Sequence, residues 1–253
     1  MPRVPKQKRS PDALSYTSEQ WLRFGTNPTP NTREKMILLA IEEIIQTGPG
    51  DFNAKVVCER LGIAYPMINH NFGDRDGLIS EAVMTAHDAW CKGVEAAFKT
   101  APADPRKRLK SFIEHEVSWS IKMQGMGVLM HYPTVSTRVS QAVMENFGER
   151  MRRNFEFHLA LITTTIVDIR SKKVSALDFN IENFPRTQLV VAHPAAFTAA
   201  TSISWATHGL AMWSGGDHVA TNRLATDTLG ELTANFVKNQ HIKNIMAIAE
   251  GSR

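Results

Sequence analysis

The sequence predicts an all-α fold with a short N-terminal arm, a small head of three short helices and a larger helical body. Apolar residues recur three or four positions apart through most of the 253 residues, which is the spacing of helices that bury one face. Helix-capping residues precede several of these segments, and prolines or glycines bound them. We therefore predict an irregular arm over residues 1–30, a head over 31–78 and a body over 79–253.

Composition is that of an ordinary globular chain, with 43% hydrophobic and 21% charged residues, which excludes a wholly disordered or collagen-like protein. The net charge of +4 and the pI of 9.1 permit a polyanionic partner without requiring one. Two cysteines exclude a disulfide framework, and neither a secretory signal nor a membrane-spanning apolar run is visible. We expect a cytoplasmic protein.

The arm contains five of the twelve prolines and has a net charge of +3, a composition typical of irregular structure. A short apolar cluster, formed by Trp21, Leu22 and Phe24, interrupts the arm. Two interpretations stay open: the apolar cluster folds back onto the head, or the arm helps to bind a polyanion such as DNA. The basic residues at its start are Arg3, Lys6, Lys8 and Arg9.

The head is predicted from its capping residues. Asn31 can form a capping box with Glu34, and the helix that follows ends at the Gly-Pro-Gly turn beginning at Gly48. Asn53 can cap a second, short helix, and Gly62 follows it where a chain commonly turns through a left-handed conformation. The apolar face of the first helix is formed by Met36, Ile37, Ala40, Ile41 and Ile44.

A third short segment spans Tyr65 to Phe72, and Pro66 is tolerated there in the first turn, where its missing N–H would have no helical partner. The fourth helix starts near Asp74 and runs to about Phe98. Its acidic start suits the positive end of a helix. A helix of roughly 36 Å can connect two bodies.

The body is predicted to hold four further helices, separated by proline and glycine breaks. Residues 171–193 are ambiguous, because Gln188 to Ala192 is β-branched enough for a short strand and a loop insertion fits equally well. The predicted helices cover about 109–121, 143–169, Pro194 to Trp213, and Thr221 to Ala249, the last with a break near Asn239.

Sequence motifs of common enzymes are absent, among them GxSxG, GxxxxGK[ST], GxGxxG and HExxH. No histidine lies three or four residues from another histidine. We therefore predict neither catalysis nor a cofactor nor a metal site.

The second and third helices have the layout of a helix-turn-helix, a buried helix followed by a glycine turn and a helix that can enter a major groove. Residues 31–85 resemble the DNA-binding domain of the TetR family of bacterial transcriptional regulators, from NTREKMILLAIEEI through AKVVCERLGIAYPMINHNFGDRDGLI. Ala64 stands where the family normally has a hydroxyl that caps the recognition helix. Cys58 falls on a small buried position, which indicates packing.

The resemblance implies a homodimer that binds an operator and releases it when a small molecule enters the body. We expect a repressor whose effector is small and apolar or amphipathic. The dimer would use the two C-terminal helices, through a small-residue face from Ala195 to Ala211 and an apolar face from Leu224 to Phe236. The arm would add phosphate or minor-groove contacts. The candidate DNA-binding residues are Thr32, Arg33, Asn53, Lys55, Ala64, Tyr65, Pro66, Met67, Asn69, His70 and Arg75.

Aromatic residues and methionines in the body, taken as a group, predict an adaptable apolar ligand pocket, although any single residue of this kind at helical spacing is more often ordinary core. Two other classes stay open: a helical small-molecule-binding protein with lost or weak DNA binding, and an all-helical enzyme. The candidate ligand-binding residues are Trp90, Trp119, Met123, Met126, Met130, His131, Phe155, Trp205, His208 and Met212, with Thr163 and Thr164 as further polar candidates.

Overall fold

The computed structural model describes residues 30–48, 50–123, 137–177, 179, 190–216 and 228–251. The predicted all-α class is confirmed, since every regular element in these ranges is a helix. Eight main helices lie in them: α1 (Thr32–Thr47), α2 (Ala54–Leu61), α3 (Pro66–Phe72), α4 (Arg75–Thr100), α5 (Pro105–Met123), α6 (Thr137–Ser171), α7 (Pro194–Gly216) and α8 (Thr228–Glu250).

Side-chain caps fix the first two helices of the head. The predicted capping box is present, because Asn31 Oδ1 accepts from the Glu34 N–H at 2.9 Å and Glu34 Oε2 accepts from the Asn31 N–H at 2.7 Å. Asn53 caps α2 by accepting from the Lys55 N–H at 3.1 Å. Gly62 ends α2 at a φ of +64°, the left-handed conformation expected of it.

The core of the head lies between α1, α2 and the first turns of α4, with α3 packed on α4. The predicted apolar face of α1 is buried, and so are Val57 and Cys58 of α2. Cys58 is 4% exposed, which agrees with a packing position. From α3, only Ile68 enters this core as a fully buried residue.

Helix α4 joins the head to the body. Asp74 caps it by accepting from the Gly77 N–H at 2.8 Å. The helix has 26 residues and therefore a length of about 39 Å. It packs against α1 and α3 at one end and against α5 and α6 further along. It runs without a break through the predicted boundary between residues 78 and 79, so head and body share one continuous helix.

The body is a bundle in which the 35-residue α6 contacts α4, α5, α7 and α8. Helices α7 and α8 pack on each other and on α5. Arg170, near the end of α6, ties down the end of α8 by donating to the carbonyl oxygens of Ala249 at 2.9 Å and Ile248 at 3.2 Å. Within the described ranges, none of the helices combines the length and apolarity needed to cross a membrane.

Two predictions about the C-terminal half are corrected. Val190–Ala192 is helical, whereas a strand or a loop was expected over Gln188 to Ala192. The preference of valine for strands is weak and depends on context, and these residues lie directly before α7. Helix α8 continues through Asn239 without the expected break. Its predicted start at Thr221 lies outside the described residues.

Candidate nucleic-acid interface

The outer surface of the head is formed by α3 and the turn before it. Ile68 is fully buried and anchors α3, whereas Tyr65 and Met67 are 38% and 36% exposed. Large apolar side chains exposed on a short helix are candidates for contact with a partner. The exposed predicted residues of this surface are Ala64, Tyr65, Pro66, Met67, Asn69 and His70.

The start of α3 has no side-chain cap, and its N-cap lies one residue after Ala64, the position that the resemblance indicated. Tyr65 occupies the N-cap position without a side-chain hydrogen bond, and Pro66 is the first helical residue. The carbonyl oxygen of Ala64 accepts from the Met67 N–H at 3.0 Å, which closes the turn that leads into α3. Asn71 is turned back to its own helix, where its Nδ2 donates to the Met67 carbonyl oxygen at 2.8 Å.

At the start of α2, Lys55 projects an exposed side chain with no ion pair among the described residues. The Asn53 side chain is engaged in capping α2. Thr32, the first residue of α1, is exposed. The structure therefore brings Lys55 and the α3 surface to the same helix-turn-helix unit, with Asn53 holding its start in place.

Arg33 of α1 contacts both α3 and α4. Its Nη2 lies 2.7 Å from Glu81 Oε1 on α4, and its guanidinium carbon lies 4.8 Å from the centre of the Phe72 ring at the end of α3. This places a cation against the face of an aromatic ring while a carboxylate holds it there. Arg33 was predicted as a DNA-binding residue, and in the structure it links α1 to both α3 and α4.

Arg75, the first residue of α4, makes contacts of the same kinds as Arg33, with a carboxylate and with an aromatic ring. Its Nη2 donates to the carbonyl oxygen of Phe52 at 3.2 Å, and its Nη1 lies 3.1 Å from Asp76 Oδ1. The guanidinium carbon stands 5.3 Å from the centre of the Phe52 ring. The first residue of α4 is thereby fixed to the residue just before the α2 cap.

The electrostatics of the head are less cationic than its basic residues alone would indicate. Residues 31–85 contain five basic and eight acidic residues, a net charge of −3. Arg60 lies 2.6 Å from Glu42, a carboxyl that is 2% exposed and whose pKa is raised by burial against the opposing effect of Arg60. Arg33 and Arg75 are also paired. In this described segment, Lys35 and Lys55 are the cations outside ion pairs.

Two contributors to the interface were missed by sequence reasoning. Glu81 holds Arg33, a pairing across 48 residues that no local pattern reveals. Gly77 lies so close to the end of α3 that an added Cβ would be 2.0 Å from the Phe72 carbonyl oxygen. The signal for Gly77 was its place three residues after the Asp74 cap, inside the first turn of a helix where glycine is unfavourable.

The body brings part of the predicted ligand-binding set into a buried polar cluster. Trp90 donates its Nε1–H to Glu116 Oε1. The Trp90 ring meets His158 edge to face at 4.8 Å between ring centres, and it lies 5.5 Å from His87. Trp90, Glu116, His87 and His158 are each at most 5% exposed. Glu116, His87 and His158 were not among the predicted residues.

Burial shifts the pKa values of two members of this cluster in opposite ways. The pKa of Glu116 is raised to about 8 by burial, although the hydrogen bond from Trp90 opposes the shift. The pKa of His87 is lowered to about 4, first by burial and then by the nearby charge of Arg150. Both of these side chains are therefore largely neutral at pH 7.

The other predicted ligand-binding residues are distributed differently. Met123 is buried, while Trp119 and Phe155 pack partly buried against the core. Thr163 is buried and its Oγ1 donates to the Leu159 carbonyl oxygen at 2.7 Å, and Thr164 is half-buried. Trp205 is 60% exposed and does not join the cluster. Met126, Met130 and His131, and the side chains of His208 and Met212, lie outside the described residues.

The N-terminal segment is a helix-turn-helix unit of three helices, α1 to α3, of which the third is exposed. The predicted resemblance to helix-turn-helix transcriptional regulators is confirmed by similarity to two curated proteins, each named HTH-type transcriptional regulator BetI. The protein from Paraburkholderia phytofirmans is 32% identical over 83 residues, covering 32% of this chain and 42% of the relative. The protein from Stenotrophomonas maltophilia is 26% identical over 85 residues, covering 34% and 43%.

The chain thus spans less than half the length of the curated relatives that it matches. No protein-family model matches it. A crystal structure of a candidate transcriptional regulator from Pseudomonas aeruginosa PAO1 covers 92% of this chain and 95% of its own, with 19% identity and a TM-score of 0.46. A score at that level is too low for a conclusion about fold or function.

Proposed function

We propose that this chain is a helix-turn-helix transcriptional regulator that binds operator DNA as a homodimer and represses transcription until a small molecule displaces it. The observation that carries the proposal is the exposed surface of α3 and the turn before it, where Ile68 is the buried residue of the helix and Tyr65 and Met67 are presented to solvent. The similarity to two helix-turn-helix transcriptional regulators supports the same assignment. A solvated surface of this kind suits insertion into a major groove.

The side chains on this surface suit particular contacts with base edges. Asn69 can form a bidentate pair with adenine, and Lys55 can approach the acceptors of guanine. Tyr65 and Met67 can pack on the methyl group of thymine. Because few cations of the head are outside ion pairs, we expect base contacts to contribute more here than non-specific attraction to phosphates.

Binding to the DNA that flanks its own gene tests this function. We expect the protein to bind that fragment at least a thousandfold more tightly than a duplex of the same composition in scrambled order, the lower end of specificity for such proteins. Equal affinity for both duplexes, or none at 50 mM salt, would favour the second candidate function, a helical small-molecule-binding protein. That candidate is supported by the net charge of −3 over residues 31–85.

We further propose that the basic arm supplies the phosphate contacts that the head lacks. Deleting residues 1–20 removes Arg3, Lys6, Lys8 and Arg9, and we expect the slope of log affinity against log salt to become shallower by about 0.9 for each phosphate that these side chains neutralise. The measurement is a salt series by fluorescence anisotropy on the flanking fragment. An unchanged slope and affinity would show that the arm does not contact DNA. These residues lie outside the described part of the chain.

The proposed dimer surface is the outer face of α7. The inner half of its small residues packs within the chain, where Ala196, Ala199 and Ala200 are buried. The outer half surrounds Trp205. The exposed Trp205 side chain does not fit a role in a buried ligand pocket, but it suits the centre of an interface. The exposed residues on this face are Ala195, Thr198, Ser202, Trp205, Ala206 and Gly209. The apolar face from Leu224 to Phe236 has no described side chains.

Replacing Trp205 with Ser is expected to weaken the dimer at least tenfold, because a central aromatic side chain commonly dominates an interface. Sedimentation equilibrium at several protein concentrations measures the dissociation constant. Met144→Ser is the matched control, since Met144 is a 62% exposed apolar residue on a different helix, α6. Equal dissociation constants for the wild type and Trp205→Ser would exclude this face as the dimer interface.

We propose that the effector binds in the body next to the cluster of Trp90, Glu116 and His158. A neutral carboxyl among aromatic rings suits an amphipathic ligand that needs one hydrogen-bond partner. Because the two recognition helices of a dimer must stand roughly 34–36 Å apart, a ligand that tilts α4 would prevent simultaneous docking. A hundredfold loss of DNA affinity requires about 2.7 kcal/mol of differential binding. A protein–DNA complex that no amphipathic ligand dissociates would leave a constitutive binder.

A further inference from the structure

We propose that Arg33 is a positioning residue that holds the recognition helix in place and does not itself contact a phosphate. The proposal rests on the proposed DNA-binding function and concerns the Arg33 clamp, which we define as Arg33, Phe72 and Glu81. Each residue of the clamp belongs to a different helix: α1, the end of α3 and α4.

The geometry of the clamp gives Arg33 two partners inside the protein. Its guanidinium lies over the Phe72 ring, 4.8 Å from the ring centre, and its Nη2 lies 2.7 Å from Glu81 Oε1. A planar guanidinium can stack on a ring and pair with a carboxylate at the same time, whereas the compact ammonium group of lysine cannot reproduce both contacts. A phosphate contact would have to compete with Glu81 for the same cation.

Helix α3 depends on such an anchor because it is short and has little burial of its own. It has seven residues, of which only Ile68 is buried, and no side chain caps its start. A helix of this length is not stable without tertiary contacts. Phe72 is the last residue of α3, so a clamp on its ring fixes the end of the helix that Ile68 does not reach. Removing the clamp should loosen α3 while the rest of the fold persists.

Charge removal at the two partners distinguishes a positioning role from a phosphate contact. If Arg33 contacts a phosphate, Arg33→Gln lowers the salt slope by about 0.9, and Glu81→Gln frees the cation and strengthens binding. If Arg33 positions α3, both substitutions weaken binding, by about three- to tenfold, and the salt slope stays unchanged. The double variant is then no weaker than Arg33→Gln alone, and Arg33→Lys does not restore affinity.

The experiment uses the full chain and a duplex that the wild type selects from a random-sequence library. Affinity is measured from 50 to 300 mM salt for the wild type, the clamp variants and Lys55→Gln, the matched removal of an exposed cation, which is expected to lower the slope. Amide hydrogen exchange of residues 67–72 is measured without DNA, with thermal unfolding to confirm that each variant is folded. We expect several-fold faster exchange in Arg33→Gln and Glu81→Gln and no change in Lys55→Gln.

Stronger binding by Glu81→Gln, a slope reduced in Arg33→Gln as in Lys55→Gln, or full rescue by Arg33→Lys would each overturn the positioning role. If the wild type selects no duplex, the proposed DNA-binding function fails. The hydrogen-exchange measurement still decides the clamp in that case: unchanged exchange over residues 67–72 overturns it, and faster exchange in both clamp variants supports it.

Discussion

Replacing Gly77 with Ala is expected to lower the free energy of unfolding by about 1–3 kcal/mol, the usual cost of forcing extra atoms into a packed site. The added Cβ would lie 2.0 Å from the carbonyl oxygen of Phe72 and 3.1 Å from its carbonyl carbon. Both are backbone atoms and cannot rotate away, so the turn between α3 and α4 has to open. Since this turn sets the angle of α3, DNA affinity should fall more than tenfold.

Gly50→Ala is the matched control for this substitution. Nothing lies within 4 Å of a Cβ added at Gly50, and its backbone is not in the left-handed region. We expect its stability and DNA affinity to stay close to those of the wild type. Urea unfolding followed by circular dichroism measures the first quantity, and anisotropy on the flanking DNA measures the second. Wild-type affinity in Gly77→Ala would show that the close approach to Phe72 does not set the recognition helix.

The second large effect concerns Glu116 and pH. The free energy of unfolding should fall between pH 6.5 and 8, with a slope of up to about 1.4 kcal/mol per pH unit. Burial raises the pKa of Glu116 to about 8 in the folded protein from 4.5 in the unfolded chain. Over this interval the folded state keeps a proton that the unfolded state has released, so stability is greatest at low pH and is lost as pH rises.

His87 contributes with the opposite sign at lower pH. Its pKa is lowered to about 4 from 6.5, so between these values the unfolded chain binds the proton and stability falls as pH falls. Above pH 6.5 this contribution is constant, so His87 does not alter the change expected from Glu116.

Glu116→Gln isolates the effect, because glutamine keeps an oxygen that can accept from Trp90 Nε1–H and carries no titratable proton. Urea unfolding of both proteins at pH 6.5, 7.0, 7.5 and 8.0 is the measurement. We expect the difference in stability to shift in favour of the glutamine variant as pH rises. Parallel profiles across this range would show that the Glu116 carboxyl does not hold its proton in the folded state.

The local features of the head were readable from the sequence because their causes lie within a few residues. The capping box of Asn31 and Glu34, the left-handed Gly62 and the Asp74 cap each depend on contacts between residues at most four positions apart. Helical spacing identified the same elements independently. Consistency between caps and spacing is what made the order of the head helices predictable.

Contacts between helices were not readable in the same way. Trp90 and Glu116 are 26 residues apart, and Arg33 and Glu81 are 48 apart, so no periodic pattern connects them. Trp205 was assigned to a pocket as one of the aromatic residues and methionines of the body, and the small residues of α7 do not mark which of its faces is inward. Its exposure becomes visible only once Ala196, Ala199 and Ala200 are seen packed inside the chain.

Footprinting on a duplex selected by the wild-type protein is the most direct test of the claim that α3 reads DNA in a dimer. We expect two protected half-sites on one face of the duplex, with centres about 10–10.5 base pairs apart or at a multiple of that spacing. Asn69→Ala should weaken protection at an adenine in both half-sites. A single protected site, protection confined to the minor groove, or no protection at low salt would contradict it.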